Sequence, residues 1–157
     1  MKFSPSAGVG GHCIPVDPSY LAHVAKSLGV PATFIERANL VNLEMPKYIV
    51  KRVIEDNGGS ISGKSVQVIG VSYKSDIADT RETPAEILIK ELEKVGAVVN
   101  WHDPLVDSWN GGKSSPLGGS DIVIVVTKHD VISEEDIKQS AKYVFDTTGK
   151  ISKVPGL

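Results

Sequence analysis

Two nearly continuous β-branched runs constrain this chain most: Val66-Gln67-Val68-Ile69-Gly70-Val71 and Asp121-Ile122-Val123-Ile124-Val125-Val126. Apolar side chains at successive positions point to both faces of a strand, so such a strand needs cover on both sides. Tyr143-Val144-Phe145 reads as a shorter strand, and Val98, Val99 and Trp101 as another. Helical signals lie between them. Thr83-Pro84-Ala85-Glu86 places a capping Thr, a Pro at the first helical position and a Glu three residues after the cap. That helix is predicted to run to about Val95, with Gly96 as its stop. Ser133-Glu134-Glu135-Asp136 opens a short helix. Strand–helix–strand order with buried strands predicts an α/β fold with a parallel, helix-covered sheet over residues 65–157.

The first part of the chain has a helical rhythm. Residues 1–17 are rich in Gly and Pro and predict an irregular loop. A helix is expected to start at Asp17, a good N-cap, with Pro18 at its first position. Tyr20, Leu21, Val24 and Leu28 give it an apolar face, Gly29 ends it and Pro31 follows. A second helix is expected over about Pro31–Glu55, with Phe34, Ile35, Ala38, Val41, Met45, Ile49 and Val53 at helical spacing. Pro46 inside it predicts a kink or a break into two helices. Asn57-Gly58-Gly59-Ser60-Ile61-Ser62-Gly63-Lys64 is turn-rich, so a linker at 58–64 is expected between a unit at 1–57 and one at 65–157.

Composition removes several classes of function. At 41% hydrophobic and 23% charged, the 157 residues do not read as an extended disordered protein. A net charge of −2 offers no broad basic surface for nucleic acid or anionic lipid. No apolar run approaches the roughly 20 residues of a membrane span. Met1-Lys2-Phe3-Ser4-Pro5 is followed by no apolar stretch, so no signal peptide is expected. A single cysteine excludes an internal disulfide, and the chain is expected to be cytoplasmic.

Chemistry concentrates in two loops. Gly8, Gly10 and Gly11 would let backbone N–H groups approach an anion or a sugar; a plain flexible turn is the competing explanation. Cys13 follows them in a setting that offers a thiol access. Asp17, four residues on, is suited to assist proton transfer or position a water, and equally to cap a helix. His12, Cys13 and His23 are poorly spaced for a metal, and no metal site is expected. Beyond the first strand, Lys74 and Arg81 precede the helix start at Thr83, which suits a phosphate. The alternative is a solvated loop in which Arg81 pairs with Asp79 or Glu82. No G-x-G-x-x-G follows the first strand, so this is not an ordinary dinucleotide site. His102-Asp103-Pro104 reads as a turn with Asp103 bonding its own backbone, His129 as surface or structural, and Trp101 and Trp109 as core.

The motifs resemble those of the UDP-glucose/GDP-mannose dehydrogenase family. Gly8-Val9-Gly10-Gly11-His12-Cys13-Ile14-Pro15-Val16-Asp17-Pro18 is similar to its catalytic-cysteine signature. Gly70-Val71-Ser72-Tyr73-Lys74-Ser75-Asp76 with Asp79-Thr80-Arg81-Glu82-Thr83-Pro84-Ala85 is similar to a second motif, and Gly96-Ala97-Val98-Val99 leading to His102-Asp103-Pro104 to a third. The cysteine segment and Asp146-Thr147-Thr148-Gly149 most resemble the branch acting on UDP-N-acetylhexosamines. The resemblance implies a helical part of the family's middle domain followed by a Rossmann-like, parallel-sheet UDP-binding domain. It implies two-step, NAD-dependent oxidation of a sugar C6 alcohol to a carboxylate, through a thiohemiacetal and a thioester at Cys13. Asp17 would assist the water, Gly8, Gly10 and Gly11 would hold the sugar, Lys74 would contact the UDP-sugar, and Arg81 would reach the NAD pyrophosphate. A homodimer built by the middle helices is implied as well.

Two departures qualify the likeness. The family's NAD domain precedes its cysteine signature, and no such segment occurs in this sequence. Thr148 stands where relatives carry a basic residue. The chain is therefore expected to be the C-terminal portion of a dehydrogenase, with NAD bound mainly elsewhere and no turnover alone. The alternative is a non-catalytic module that binds UDP-sugars or dimerises.

Overall fold

The computed structural model describes residues 6–157. What the sequence predicts for residues 1–5 lies outside the described residues. In chain order the elements are α1 (Cys13–Ser27), α2 (Thr33–Asp56), β1 (Ser65–Ile69), α3 (Pro84–Lys94), β2 (Val98–His102), β3 (Ser108–Trp109), β4 (Gly112–Lys113), β5 (Ser120–Val125), α4 (Glu134–Gln139) and β6 (Ala141–Asp146).

The fold is α/β, as the apolar runs predict. β1, β2, β5 and β6 form a parallel sheet in the order β2-β1-β5-β6. Alternation along the strands sorts the core into two layers. Val66, Val68, Ile122, Ile124 and Phe145 face Leu88 and Leu92 of α3 and Ile49, Val50 and Val53 of α2. Ile69, Val123, Val125 and Val144 face Ile132, Ile137 and Ile151 on the other side. The second half of α2 thus shares one core with the sheet. Tyr143 reinforces that join by donating its hydroxyl to Asp56 at 2.7 Å.

The capping signals of α3 and α4 are realised. Thr83 Oγ1 accepts the Ala85 N–H, and Ser133 Oγ accepts the Asp136 N–H. Trp101 is buried and meets Trp109 edge to face at 5.9 Å, which agrees with a packing role.

The first helices differ from expectation. α1 begins at Cys13, not Asp17, so Pro18 sits inside the helix and Cys13 belongs to its first turn instead of an irregular loop. Packing of the preceding segment outweighs the local cap signal: Val9 N–H donates to Asn42 Oδ1 at 2.8 Å and Gly11 N–H to the Arg81 carbonyl at 3.0 Å. α2 starts at Thr33 and is one helix through Pro46, whose burial against the rest of the molecule offsets the lost backbone bond. The small antiparallel pair β3–β4 was not foreseen.

Candidate active site

The sheet crosses over at β1, which pairs with β2 on one side and β5 on the other. Ligands of open parallel sheets bind beyond the strand ends at such a point. Here the crevice itself is filled. A Cβ on Gly70 would lie 2.0 Å from the Thr127 carbonyl oxygen. The N–H groups of Val71 and Ser72 already donate to Asp103 Oδ2, at 2.9 and 3.0 Å. A buried carboxylate therefore occupies the place where a dinucleotide pyrophosphate would need free amides, so the crevice does not fit NAD.

The loop from Val71 to Glu82 instead turns outward and receives the glycine segment. A Cβ on Gly10 would stand 2.7 Å from Tyr73 Cβ and 2.8 Å from the Glu82 carbonyl oxygen. At Gly11, where φ is +86°, a Cβ would reach the Tyr73 ring at 2.9 Å. These two glycines allow close packing of protein on protein. Gly8 abuts Pro84 in the same way, and its carbonyl accepts the Ser6 hydroxyl.

This packing brings α1 to the sheet's C-terminal edge. Cys13 is exposed in the first turn of α1, where backbone N–H groups present partial positive charge. Asp17 is exposed one turn further, and both border an open hollow with Ile14, Pro18, Leu21 and Ile35. Arg81 is held above its ordinary range, first by its hydrogen bonds to Asp79 and in smaller part by the nearby Cys13 sulfur. Its Nε bonds both Asp79 oxygens at 3.0 Å and its Nη2 lies 2.6 Å from Oδ2. The Arg81 side chain is still 66% exposed, and its Nη1 makes no hydrogen bond among the described residues, so it fits one outward phosphate contact. Asp79 is correspondingly depressed by the Arg81 hydrogen bonds. Lys74 is exposed and in no ion pair among the described residues.

Cys13, Asp17 and Arg81 are exposed, Gly8 and Gly10 are half-buried, and Gly11 is buried against Tyr73 with its N–H given to the Arg81 carbonyl; Lys74 rises from the same loop as Arg81. Sequence reasoning missed Tyr73, which seats the glycines, and the buried Asp103–His129 pair. Asp103 does bond its own backbone through the Leu105 N–H, as the turn predicts, and also gathers donors from β1's loop. Burial works against its charge, but hydrogen bonds from His129, Leu105 and Ser72 outweigh it and hold the carboxyl at about 2. The position of both residues just past strand ends was the available signal.

Residues 67–153 match the family model described as "UDP-glucose/GDP-mannose dehydrogenase family, UDP binding domain", and residues 1–44 match that family's central domain. The chain is 36% identical over 156 residues to UDP-N-acetyl-D-mannosamine dehydrogenase of Methanococcus maripaludis, covering 92% of this chain and 36% of that protein. It is 35% identical over 111 residues to UDP-N-acetyl-D-glucosamine 6-dehydrogenase of Salmonella typhi, covering 69% of this chain and 26% of that one. Among solved structures, the UDP-D-ManNAc dehydrogenase of Pyrococcus horikoshii superposes with a TM-score of 0.78 at 28% identity, over 98% of this chain and 38% of the other. The chain therefore spans little more than a third of the length of such relatives.

Proposed function

Because the chain belongs to the UDP-glucose/GDP-mannose dehydrogenase family, we propose that it carries the nucleophile and much of the nucleotide-sugar site of an NAD-dependent UDP-hexose 6-dehydrogenase. A UDP-N-acetylhexosamine is the proposed substrate, a choice supported by the names of the relatives in mannosamine and glucosamine chemistry. One observation carries the reading: an exposed sulfur at the start of α1, joined through the Gly11–Arg81 hydrogen bond to the loop that bears Lys74.

In this reading the Cys13 sulfur adds to a C6 aldehyde, forming a C–S bond while the carbonyl oxygen takes up a proton. NAD, when bound, supplies the hydride acceptor for both oxidations. The resulting thioester at Cys13 is cleaved by water, which breaks the C–S bond, returns the thiol and releases a carboxylate. Asp17, at i+4 from Cys13 on one helix face, takes a proton from that water. Lys74 pairs with the diphosphate, the backbone at Gly8, Gly10 and Gly11 flanks the sugar, and Arg81 extends to the NAD pyrophosphate. A second copy of the chain is the proposed partner of the helical face, where Phe34 is 85% exposed and Leu28 76%.

The filled crevice at Gly70 favours a companion reading, in which these residues alone hold the UDP-sugar without oxidising it. Calorimetry with UDP tests the site: binding by the chain that is measurably weakened in Lys74→Ala supports it, and a chain that ignores UDP contradicts it. NAD reduction by the chain alone with a UDP-sugar would refute the absence of turnover.

A further inference from the structure

Both ring nitrogens of His129 are engaged, and the ring is completely buried. Nδ1 lies 2.9 Å from the Asp76 N–H. An amide nitrogen only donates, so Nδ1 accepts and the ring proton resides on Nε2, facing Asp103 Oδ2 at 3.2 Å. Geometry alone assigns this tautomer. Asp103 Oδ2 also receives the N–H groups of Val71 and Ser72 and the Ser72 hydroxyl.

The loop between these anchors is tied at nearly every residue. The Ser72 carbonyl accepts Thr127 Oγ1 at 2.7 Å, and the Tyr73 N–H donates to the Asp79 carbonyl at 2.8 Å. Ser75 Oγ receives Lys150 Nζ at 2.9 Å, and Asp76 Oδ1 receives the Asp130 N–H at 2.8 Å. Asp76 itself has φ of +62°, a left-handed conformation that Asp adopts more readily than most residues, held here by the bonds to His129 and Asp130. Lys74 is exposed and makes no hydrogen bond or ion pair among the described residues.

We propose that His129 is a positioning residue: by accepting the Asp76 N–H it locks the Val71–Asp76 loop in the form that presents Lys74 to the diphosphate of a nucleotide ligand. The proposal rests on the reading of Lys74 given above. A loop ordered before binding leaves less conformational entropy to be lost when the anion arrives, so the clamp is expressed as affinity.

Two isosteres separate the two bonds of the ring. His129→Asn keeps an acceptor near the Nδ1 position and loses the donor to Asp103. His129→Gln keeps a donor near Nε2 and loses the acceptor for Asp76. The readouts are UDP affinity by calorimetry, amide hydrogen exchange at Asp76, and Tm. His129→Gln is expected to bind UDP roughly tenfold more weakly than His129→Asn, to exchange faster at Asp76, and to add no loss in a Lys74→Ala background. Affinities that simply follow Tm across both variants, or an undiminished His129→Gln loss in the Lys74→Ala background, overturn the proposal. Unchanged Asp76 exchange in His129→Gln removes the clamp while leaving Lys74 as a ligand contact. Wild-type affinity in Lys74→Ala removes the functional reading itself, and with it the claim that His129 acts on binding.

Discussion

Cys13 owes its exposure to its neighbours. The glycines before it let the chain pass against Tyr73 and Pro84, and the helix that follows starts on the sulfur's own residue. Alkylation of the folded chain with iodoacetamide should therefore modify its one thiol stoichiometrically without denaturant, as read by intact mass. Gly10→Ala tests the seat beneath it. The added methyl would press on Tyr73 Cβ and the Glu82 carbonyl, so a loss of about 1–3 kcal/mol in denaturant unfolding is expected, as for other overpacked sites. Lys74→Ala, by contrast, should leave stability unchanged, because that exposed side chain makes no hydrogen bond or ion pair among the described residues.

At the scale of elements, signals contained within a few residues were legible and those set by distant packing were not. β1, β5 and the capped starts of α3 and α4 announce themselves through apolar runs and through Thr83 and Ser133, and the structure places them there. The β3–β4 hairpin also had a local signal. Asn110-Gly111 is the pair a two-residue turn favours, and both residues have positive φ, 48° and 78°. The start of α1 had a misleading one. Asp17-Pro18 looks like a cap, yet Asn42 and the Arg81 carbonyl, both remote in sequence, fix the backbone so that the helix is already under way. Pro18→Ala discriminates between the two arrangements. With Pro18 inside α1, the restored N–H completes the bond to the Ile14 carbonyl, and stability should rise by about 1–3 kcal/mol. A first-position proline would show no such gain. For the site, the residue types and the local partner were readable: Arg81 grips Asp79, two residues away, one of the pairings the sequence offers. That Asp103 and His129 would close the crevice was not, because it depends on contacts across 26 to 32 residues of chain.

Across the whole molecule, one buried carboxylate links three strand ends. Asp103 follows β2, receives amides from the loop after β1, and meets His129 beyond β5. Its folded carboxyl is held at about 2, below the ordinary 3.8, so the folded state binds fewer protons than the unfolded chain near pH 3. The contribution, about 2 kcal/mol, is fully present above pH ~4 and is lost as pH falls toward 2. Urea unfolding across that window should show the loss, and Asp103→Asn should flatten it. No helix among the described residues is long and apolar enough to cross a membrane. The apolar outer face of α1 and α2 should instead make the sedimentation coefficient rise with protein concentration, an increase that Phe34→Asp reduces.

The most direct test is the alkylation rate of Cys13 measured with and without saturating UDP-N-acetylmannosamine, with calorimetry on the same sample to establish occupancy. A sulfur presented to a nucleotide-linked hexose held by the Lys74 loop predicts marked slowing by the UDP-sugar and weaker slowing by UDP. An unaltered rate in a sample shown to be fully occupied would contradict it.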